Sequence, residues 1–301
     1  MSGSRPRPGL SRRGLLVAGG AVAGVAVAGA LGVEEEVLPG RGWLHRTLGL
    51  DGPDGTVPDV PPGPLTSGSF VSPARLGQRV GWSIALPPDA PDHLPVAVVL
   101  HGRGGDHTSA FAPDYLALGS FLAAAVAAGS SPYALASVDG GEAYWHPRAN
   151  GDDPQKMVLQ EFLPLLTRHG LDTRRLGFLG WSMGGFGSLH LAGTLGARRV
   201  AGVAVMSPAL WHDYADTAPG AYDDARDFAA VEVMTRRSDL DGIALRVDCG
   251  EEDPFYASTR DYVAGFAERP AGGFEPGDHD IGYWRRRAPR EVAFLGRALA
   301  G

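Results

Sequence analysis

The segment Gly180-Trp181-Ser182-Met183-Gly184 is a G-x-S-x-G pattern, and it occurs once in the chain. It lies between an apolar run ending at Leu179 and a helical pattern starting at Met183. A strand can turn that sharply into a helix only if the residues two before and two after the serine are small. The turn pushes Ser182 into strained geometry with its hydroxyl exposed. The Met183 amide, at the positive end of the helix, lies beside it. A serine hydroxyl in that position is a nucleophile in waiting. It attacks a carbonyl once a base takes its proton, and the base works best when a carboxylate orients it.

The elements around the pattern predict where those partners lie. Short apolar runs alternate with helical spacing from Phe70 onward. Strands are expected at Arg79–Leu86, Val96–Leu100, Tyr133–Val138, Leu176–Leu179, Val200–Met206 and Ala244–Cys249. Helices are expected at Tyr115–Ala128, Met157–His169 (kinked by Pro164), Met183–Leu195, Phe255–Ala267 and Tyr283–Ala300. Arg79–Leu86 alternates like a half-buried strand, whereas Val96–Leu100 is apolar throughout, as a strand covered on both faces would be. The alternation predicts an α/β fold, a mainly parallel sheet flanked by helices, with chemistry beyond the carboxyl ends of the strands. Residues 208–241 interrupt the alternation with Trp211, Tyr214, Tyr222 and Phe228 among many acids. They read either as a cap insertion over the site or as an elaborated crossover.

In such a fold the chain order is nucleophile, acid, histidine. Of nine histidines, His279 alone follows the last acid-bearing loop, in Gly277-Asp278-His279-Asp280. The acid is sought in Gly250-Glu251-Glu252-Asp253-Pro254. Asp253, three residues past the strand-ending glycine, is the first choice and Glu251 the second. Asp253 before Pro254 also reads as a helix cap, and both roles could coexist. The loop His101-Gly102-Arg103-Gly104-Gly105 follows the Val96–Leu100 strand and is similar to the HG-type oxyanion loop of esterases. The Arg103 amide, or that of Gly104, is then the second oxyanion donor beside Met183. His101 is expected to brace this loop.

With these pieces placed, the chain resembles the α/β-hydrolase superfamily, and more narrowly the putative-esterase branch of esterase D and the antigen 85 mycolyltransferases. The resemblance rests on His101-Gly102, on the elbow Gly180–Gly184 with Met183 after the serine, and on Gly277-Asp278-His279 followed by Tyr283-Trp284. That last stretch is similar to the branch's Gly-x-His-x-x-x-Tyr-Trp pattern. The resemblance implies Ser182 as nucleophile, His279 as base and the amides of Arg103 and Met183 as oxyanion donors. Antigen 85 proteins carry a glutamate as the acid, so Asp253 is a departure. The branch has a substrate-facing loop where this chain has residues 139–147, which implies Trp145 or His146 as substrate contacts.

The reading is a serine esterase forming an acyl-enzyme. An acyltransferase of the cell envelope would use the same chemistry with an alcohol acceptor, and a binding protein on a hydrolase scaffold would use none of it.

Composition excludes other classes. Net charge is −7, and Lys156 is the only lysine. No cationic stretch supplies a nucleic-acid face, and the run Arg285–Arg287 reads as a solvated helix face. The single cysteine, Cys249, permits no internal disulfide and reads as a buried thiol. No metal or cofactor is expected: His101, Asp106 and His107 share one glycine-rich loop, and Asp152-Asp153 is a weak calcium candidate.

Residues 1–13 hold four arginines and no acid, Leu15–Val33 is uncharged, and Glu34-Glu35-Glu36 follows. This reads as an export signal, with Ser11-Arg12-Arg13-Gly14-Leu15-Leu16 similar to a twin-arginine signal. Retention as a weak membrane anchor is the alternative, and either way the rest of the chain faces outside the cytoplasm. A Pro/Gly-rich linker over residues 34–67 and a catalytic domain over 68–301 are expected. The partner is a small-molecule or lipid-like ester, with membrane contact only through an uncleaved N-terminal segment.

Overall fold

The strand Pro95–Leu100 is apolar throughout, and its residues from Val96 on are wholly buried. Such a segment needs sheet neighbours on both edges and helices on both faces, and the computed structural model supplies both. It describes residues 47–301. The export signal and the first part of the expected linker therefore lie outside the described residues. A short piece ends at Asp51, and the main body is Gly52–Gly301.

Eight strands form one sheet: β1 (Leu65–Ser72), β2 (Gln78–Ala85), β3 (Pro95–Leu100), β4 (Ala134–Val138), β5 (Asp172–Trp181), β6 (Val200–Met206), β7 (Ala244–Gly250) and β8 (Ala271–Glu275). Their order is β1-β2-β4-β3-β5-β6-β7-β8. β1 and β2 pair antiparallel, β2 pairs antiparallel with β4, and the remaining pairs are parallel. The helices are α1 (Leu118–Ala127), α2 (Leu163–Arg168), α3 (Met183–Leu195), α4 (Ala225–Val231), α5 (Tyr256–Ala264) and α6 (Ile281–Ala300). This is the mainly parallel, helix-flanked sheet expected from the alternation of patterns, in the α/β-hydrolase arrangement the resemblance implied.

Side chains alternate across the sheet along β5. Phe178 joins the core beneath α3, α4 and α5, whereas Leu179 and Trp181 join the core beneath α1 and α6. Pro164 enters at the first turn of α2, where its missing N–H costs little, and a π-helical segment (Met157–Phe162) precedes it. A local change of helical register thus accompanies the proline where a kink was expected.

Five local expectations are corrected. β2 is buried from Val80 to Ala85 rather than half-exposed, because its small polar positions are covered: Ser83 bonds Ser67 on β1 at 2.7 Å. β1 and β8 have no apolar rhythm, and their pairing with β2 and β7 makes them strands. β1 starts at Leu65, inside the stretch read as linker. Residues 52–64 run without helix or strand but lie against the body: Gly55 N–H donates to the Gly282 carbonyl at 2.8 Å, and Val57 packs with the α1/α6 core.

The fifth concerns Arg285–Arg287, which do not form a solvated face. Arg285 donates to the Tyr115 and Pro113 carbonyls, Arg286 to the Pro53 carbonyl, and Arg287 is buried against Asp248 and Glu275.

Residues 208–241 drop Ala209, Leu210, Ala221, Tyr222, Phe228, Val231, Val233 and Leu240 into the core between β6 and β7. The segment is therefore a packed crossover, and its Trp211 borders the site described next. Among the described residues no helix is long and apolar enough to cross a membrane.

Candidate active site

Ser182 stands between β5 and α3 at φ +54 and ψ −124. This backbone conformation costs a non-glycine residue of order 1–3 kcal/mol and persists only where its surroundings over-determine it. Here they do. The Ser182 carbonyl accepts from Gly185 (2.9 Å), Phe186 (3.2 Å) and Ala209 (2.9 Å), and its N–H donates to Met206 at 3.1 Å. A Cβ on Gly180 would collide with the Gly184 carbonyl, and one on Gly184 would collide with the Leu100 carbonyl. The pattern's two glycines are therefore steric requirements of the turn.

The imidazole of His279 lies beside this hydroxyl. Nε2 is 2.9 Å from Ser182 Oγ, and Nδ1 is 2.8 Å from Asp253 Oδ2. The buried carboxylate accepts a proton donor at Nδ1, which leaves the Nε2 lone pair facing the serine O–H. The other oxygen of Asp253 accepts the Phe255 N–H at 2.8 Å. Asp253 thus orients the imidazole and ties down the entry to α5 at once. The two neighbouring carboxylates lie elsewhere. The Glu252 carboxylate accepts the Gly277 N–H at 2.6 Å, and Glu251 contributes its own N–H to Glu275 O at 3.0 Å. Two aromatic rings flank the imidazole edge to face, Phe255 at 5.3 Å and Trp284 at 5.1 Å. Trp284 is itself anchored by its indole N–H on Ser207 Oγ at 3.1 Å. Such packing restricts rotation of the base.

The loop after β3 passes on the opposite side of the serine. A Cβ added at Gly102 would lie 3.3 Å from Ser182 Cβ and 2.8 Å from Trp181 Nε1. Arg103 follows in a turn closed by Gly105 N–H on the Gly102 carbonyl at 3.1 Å. Gly104 sits at φ +76. Met183 is the first residue of α3, where helix N–H groups have no partner within the helix. Gly102, next to the expected donor Arg103, and Met183 therefore both stand beside the nucleophile.

His101 braces the loop, as expected. Its Nε2 accepts the Gly140 N–H at 2.9 Å, so Nδ1 carries the proton and donates to the Gly102 carbonyl at 2.8 Å. Burial pushes its pKa below the usual histidine value and keeps it neutral. Asp139 pins the next segment, accepting from the Gly81 N–H at 2.8 Å and the His107 N–H at 2.7 Å.

Trp145 and His146 are not substrate contacts. Both are wholly buried. The Trp145 ring fills the space left by Gly140 and Gly187 and meets the His101 ring at 5.0 Å. Each ring nitrogen of His146 lies 3.0 Å from a carbonyl, of Pro147 and of Ala221, and the ring stacks on Tyr222. These side chains lock the 139–153 loop to residues 208–241. The aromatic groups that do run from the base toward that loop are Phe255, Trp211 and Tyr144, with successive ring centroids 5.3 Å and 5.7 Å apart. No signal in the sequence brings them together, since they come from three separate loops. The only hint of a role for Trp284 was its place five residues after His279.

Among the described residues no group of three His, Cys, Asp or Glu side chains could hold a metal ion. Asp152 is taken by the buried Arg75 guanidinium, and Asp153 caps the Lys156 N–H at 2.7 Å. Cys249 is buried, and burial pushes its thiol pKa well up, so it is a packing residue.

A protein-family model described as "Putative esterase" matches residues 73–295. No curated protein matches the chain. Among solved structures, a ferulic acid esterase is 20% identical, with 80% of this chain and 100% of that one covered at a TM-score of 0.66. An S-formylglutathione hydrolase from Agrobacterium tumefaciens is 16% identical over 78% of this chain and 95% of its own, with a TM-score of 0.63. FphF, a fluorophosphonate-binding serine hydrolase of Staphylococcus aureus, is 20% identical over 78% and 99%, with a TM-score of 0.61. At these identities the likeness is one of fold.

Proposed function

Since the chain belongs to the esterase family and is a serine ester hydrolase, we propose that it cleaves carboxylic esters through an acyl-enzyme on Ser182. The observation that carries this reading is the continuous row from Asp253 through His279 to Ser182, with links of 2.8 and 2.9 Å, at a strained strand-to-helix turn. His279 Nε2 takes the Ser182 proton as Oγ attacks the ester carbonyl. The negative charge passes to the carbonyl oxygen, which the amides of Arg103 and Met183 receive. Asp253 stabilises the imidazolium without taking its proton. The tetrahedral species collapses, and His279 gives the proton to the leaving alcohol. Water then attacks the acyl carbonyl on the same face and loses a proton to His279; the second tetrahedral species collapses, His279 returns that proton to Ser182 Oγ, and the acid is released. Each oxyanion donor is worth about 3 kcal/mol of barrier.

The half-buried rings of Phe255 and Trp211, 5.3 Å apart beside the base, support an apolar or aryl acyl group over a charged one. A series of p-nitrophenyl esters of increasing acyl length checks this, with added alcohol reporting any transfer to an acceptor other than water. Ser182→Ala is expected to abolish turnover and fluorophosphonate labelling while keeping the fold by circular dichroism. Unchanged hydrolysis in that variant would overturn the assignment.

Residues 1–33 would export the enzyme, on the strength of Arg12-Arg13 ahead of the uncharged Leu15–Val33. Replacing both arginines by lysine is expected to leave the protein inside the cell. Undiminished extracellular or envelope activity would exclude the twin-arginine route.

A further inference from the structure

We propose that residues 53–57 and Arg286 form a clamp that positions His279, so that a segment upstream of the family-matched region sets the efficiency of the base. This rests on reading His279 as that base.

His279 sits in the short turn between β8 and α6, so its ring can be no better placed than the first turn of α6 and the end of β8. Asp280 caps that helix by accepting the Tyr283 N–H at 2.9 Å. The strap supplies the rest. Gly55 N–H donates to the carbonyl of Gly282, in the first turn of α6, at 2.8 Å. One turn along, the Arg286 guanidinium reaches three segments at once. Nη1 donates to the Pro53 carbonyl at 2.7 Å, Nε to Glu275 Oε1 at 3.1 Å, and Nη2 to the Pro276 carbonyl. A planar fork fixes such an arrangement better than a point charge would. The strap, the end of β8 and the turn leading to His279 are thus held by one side chain. The fit is close as well: a Cβ on Gly55 would strike the Arg286 backbone nitrogen, and one on Gly282 would strike the Asp54 carboxylate. Val57 packs into the cluster that holds Trp284, one of the two rings against His279.

None of these groups touches substrate; they act through the imidazole. His279 serves both acylation and deacylation, so loosening it slows both steps together. kcat then falls while KM stays put.

The test compares Gly55→Ala and Arg286→Ala in the full chain with p-nitrophenyl acetate, reading kcat, KM and Tm. Tyr133→Phe is the control. It removes a hydroxyl bond to the Val292 carbonyl, at 2.9 Å, in the distal part of α6. Both clamp variants are expected to lose tenfold or more in kcat with KM within twofold, and Tyr133→Phe to keep its kcat within twofold. Should Gly55→Ala fail to fold, Arg286→Ala decides alone. The clamp is overturned if the variants keep kcat within twofold of the parent. It is equally overturned if Tyr133→Phe loses as much kcat for the same fall in Tm, since the effect is then global stability. His279→Gln runs alongside. If it retains turnover, the assignment of the base has failed; if it is dead while the clamp variants are fully active, only the clamp has.

Discussion

The two sides of Ser182 are held by opposite means. On the base side, His279 is gripped by ions and ring edges: a buried carboxylate, Phe255 and Trp284, and behind them a layer of charge in which Arg246 and Arg287 meet Asp248 and Glu275, with Glu291 against Arg246. On the proposed oxyanion side, the expected donors are backbone amides, and their brace is an imidazole bonded to backbone at both nitrogens. The difference follows from what each side must do. In the proposed mechanism the base gains and loses a proton in every cycle, so it needs a fixed counter-charge. The oxyanion donors must be in place before charge develops and must not titrate, so they are built from groups that stay neutral.

The comparison can be broken most sharply at Asp253. Asp253→Asn keeps the shape of the row but presents the wrong hydrogen-bonding partner to Nδ1, and kcat is expected to fall by about 10⁴-fold. A steady-state assay showing less than a tenfold loss would mean that the carboxylate is not what orients His279.

The oxyanion side should yield less. His101→Ala removes the link between the Gly102 carbonyl and the Gly140 N–H without removing any donor. Its cost is therefore bounded by the roughly 10²–10³-fold loss of a whole donor. Measured kcat values that fall as far as those of Asp253→Asn would make His101 a participant rather than a brace.

The smallest effect is on stability against pH, and there the two sides carry opposite signs. Burial, then repulsion from Asp248, raises the pKa of Glu291 above its ordinary 4.5. The folded state therefore holds that proton after the unfolded state has lost it, and stability falls as pH rises from 4.5 toward the raised value. Burial lowers the pKa of His101 below its ordinary 6.5. Its contribution is present above that value and is lost as pH falls toward the lowered one. Each group contributes at most about 1.4 kcal/mol per pH unit. Urea midpoints between pH 4.5 and 6.5 are expected to show Glu291→Gln gaining relative to the parent as pH rises. A parallel pair of curves would show that Glu291 is charged in the folded state.

The legibility of the site divides along the same line. The elbow is plain in the sequence because its geometry is local: Gly180 and Gly184 sit where the turn leaves no room for a side chain. The oxyanion loop is legible for the same reason, since a strand, a histidine and three glycines lie within a few residues. The acid is harder. Glu251, Glu252 and Asp253 are equivalent by charge; the spacing after Gly250 favours Asp253, and the tertiary structure shows it meeting the imidazole. Trp145 and His146 mislead because an aromatic pair in a loop looks the same whether it faces substrate or fills a void. Here Gly140 and Gly187 open the void, and the rings fill it. The run Arg285–Arg287 misleads likewise, since its acceptors come from Pro53, Tyr115, Asp248 and Glu275.

By itself, then, the amino-acid order determined the alternation of strands and helices, the place of the proposed nucleophile and the histidine expected to serve it. Those follow from side-chain periodicity and from the steric demand of a tight turn, which act over a handful of bonds. Tertiary structure confirmed the contact of Asp253 with that histidine and alone decided which rings confine it and which distant segment lies against its turn. Hydrogen bonds and packing between residues far apart in the chain depend on where the sheet brings strand ends together, and no short stretch of sequence encodes that meeting.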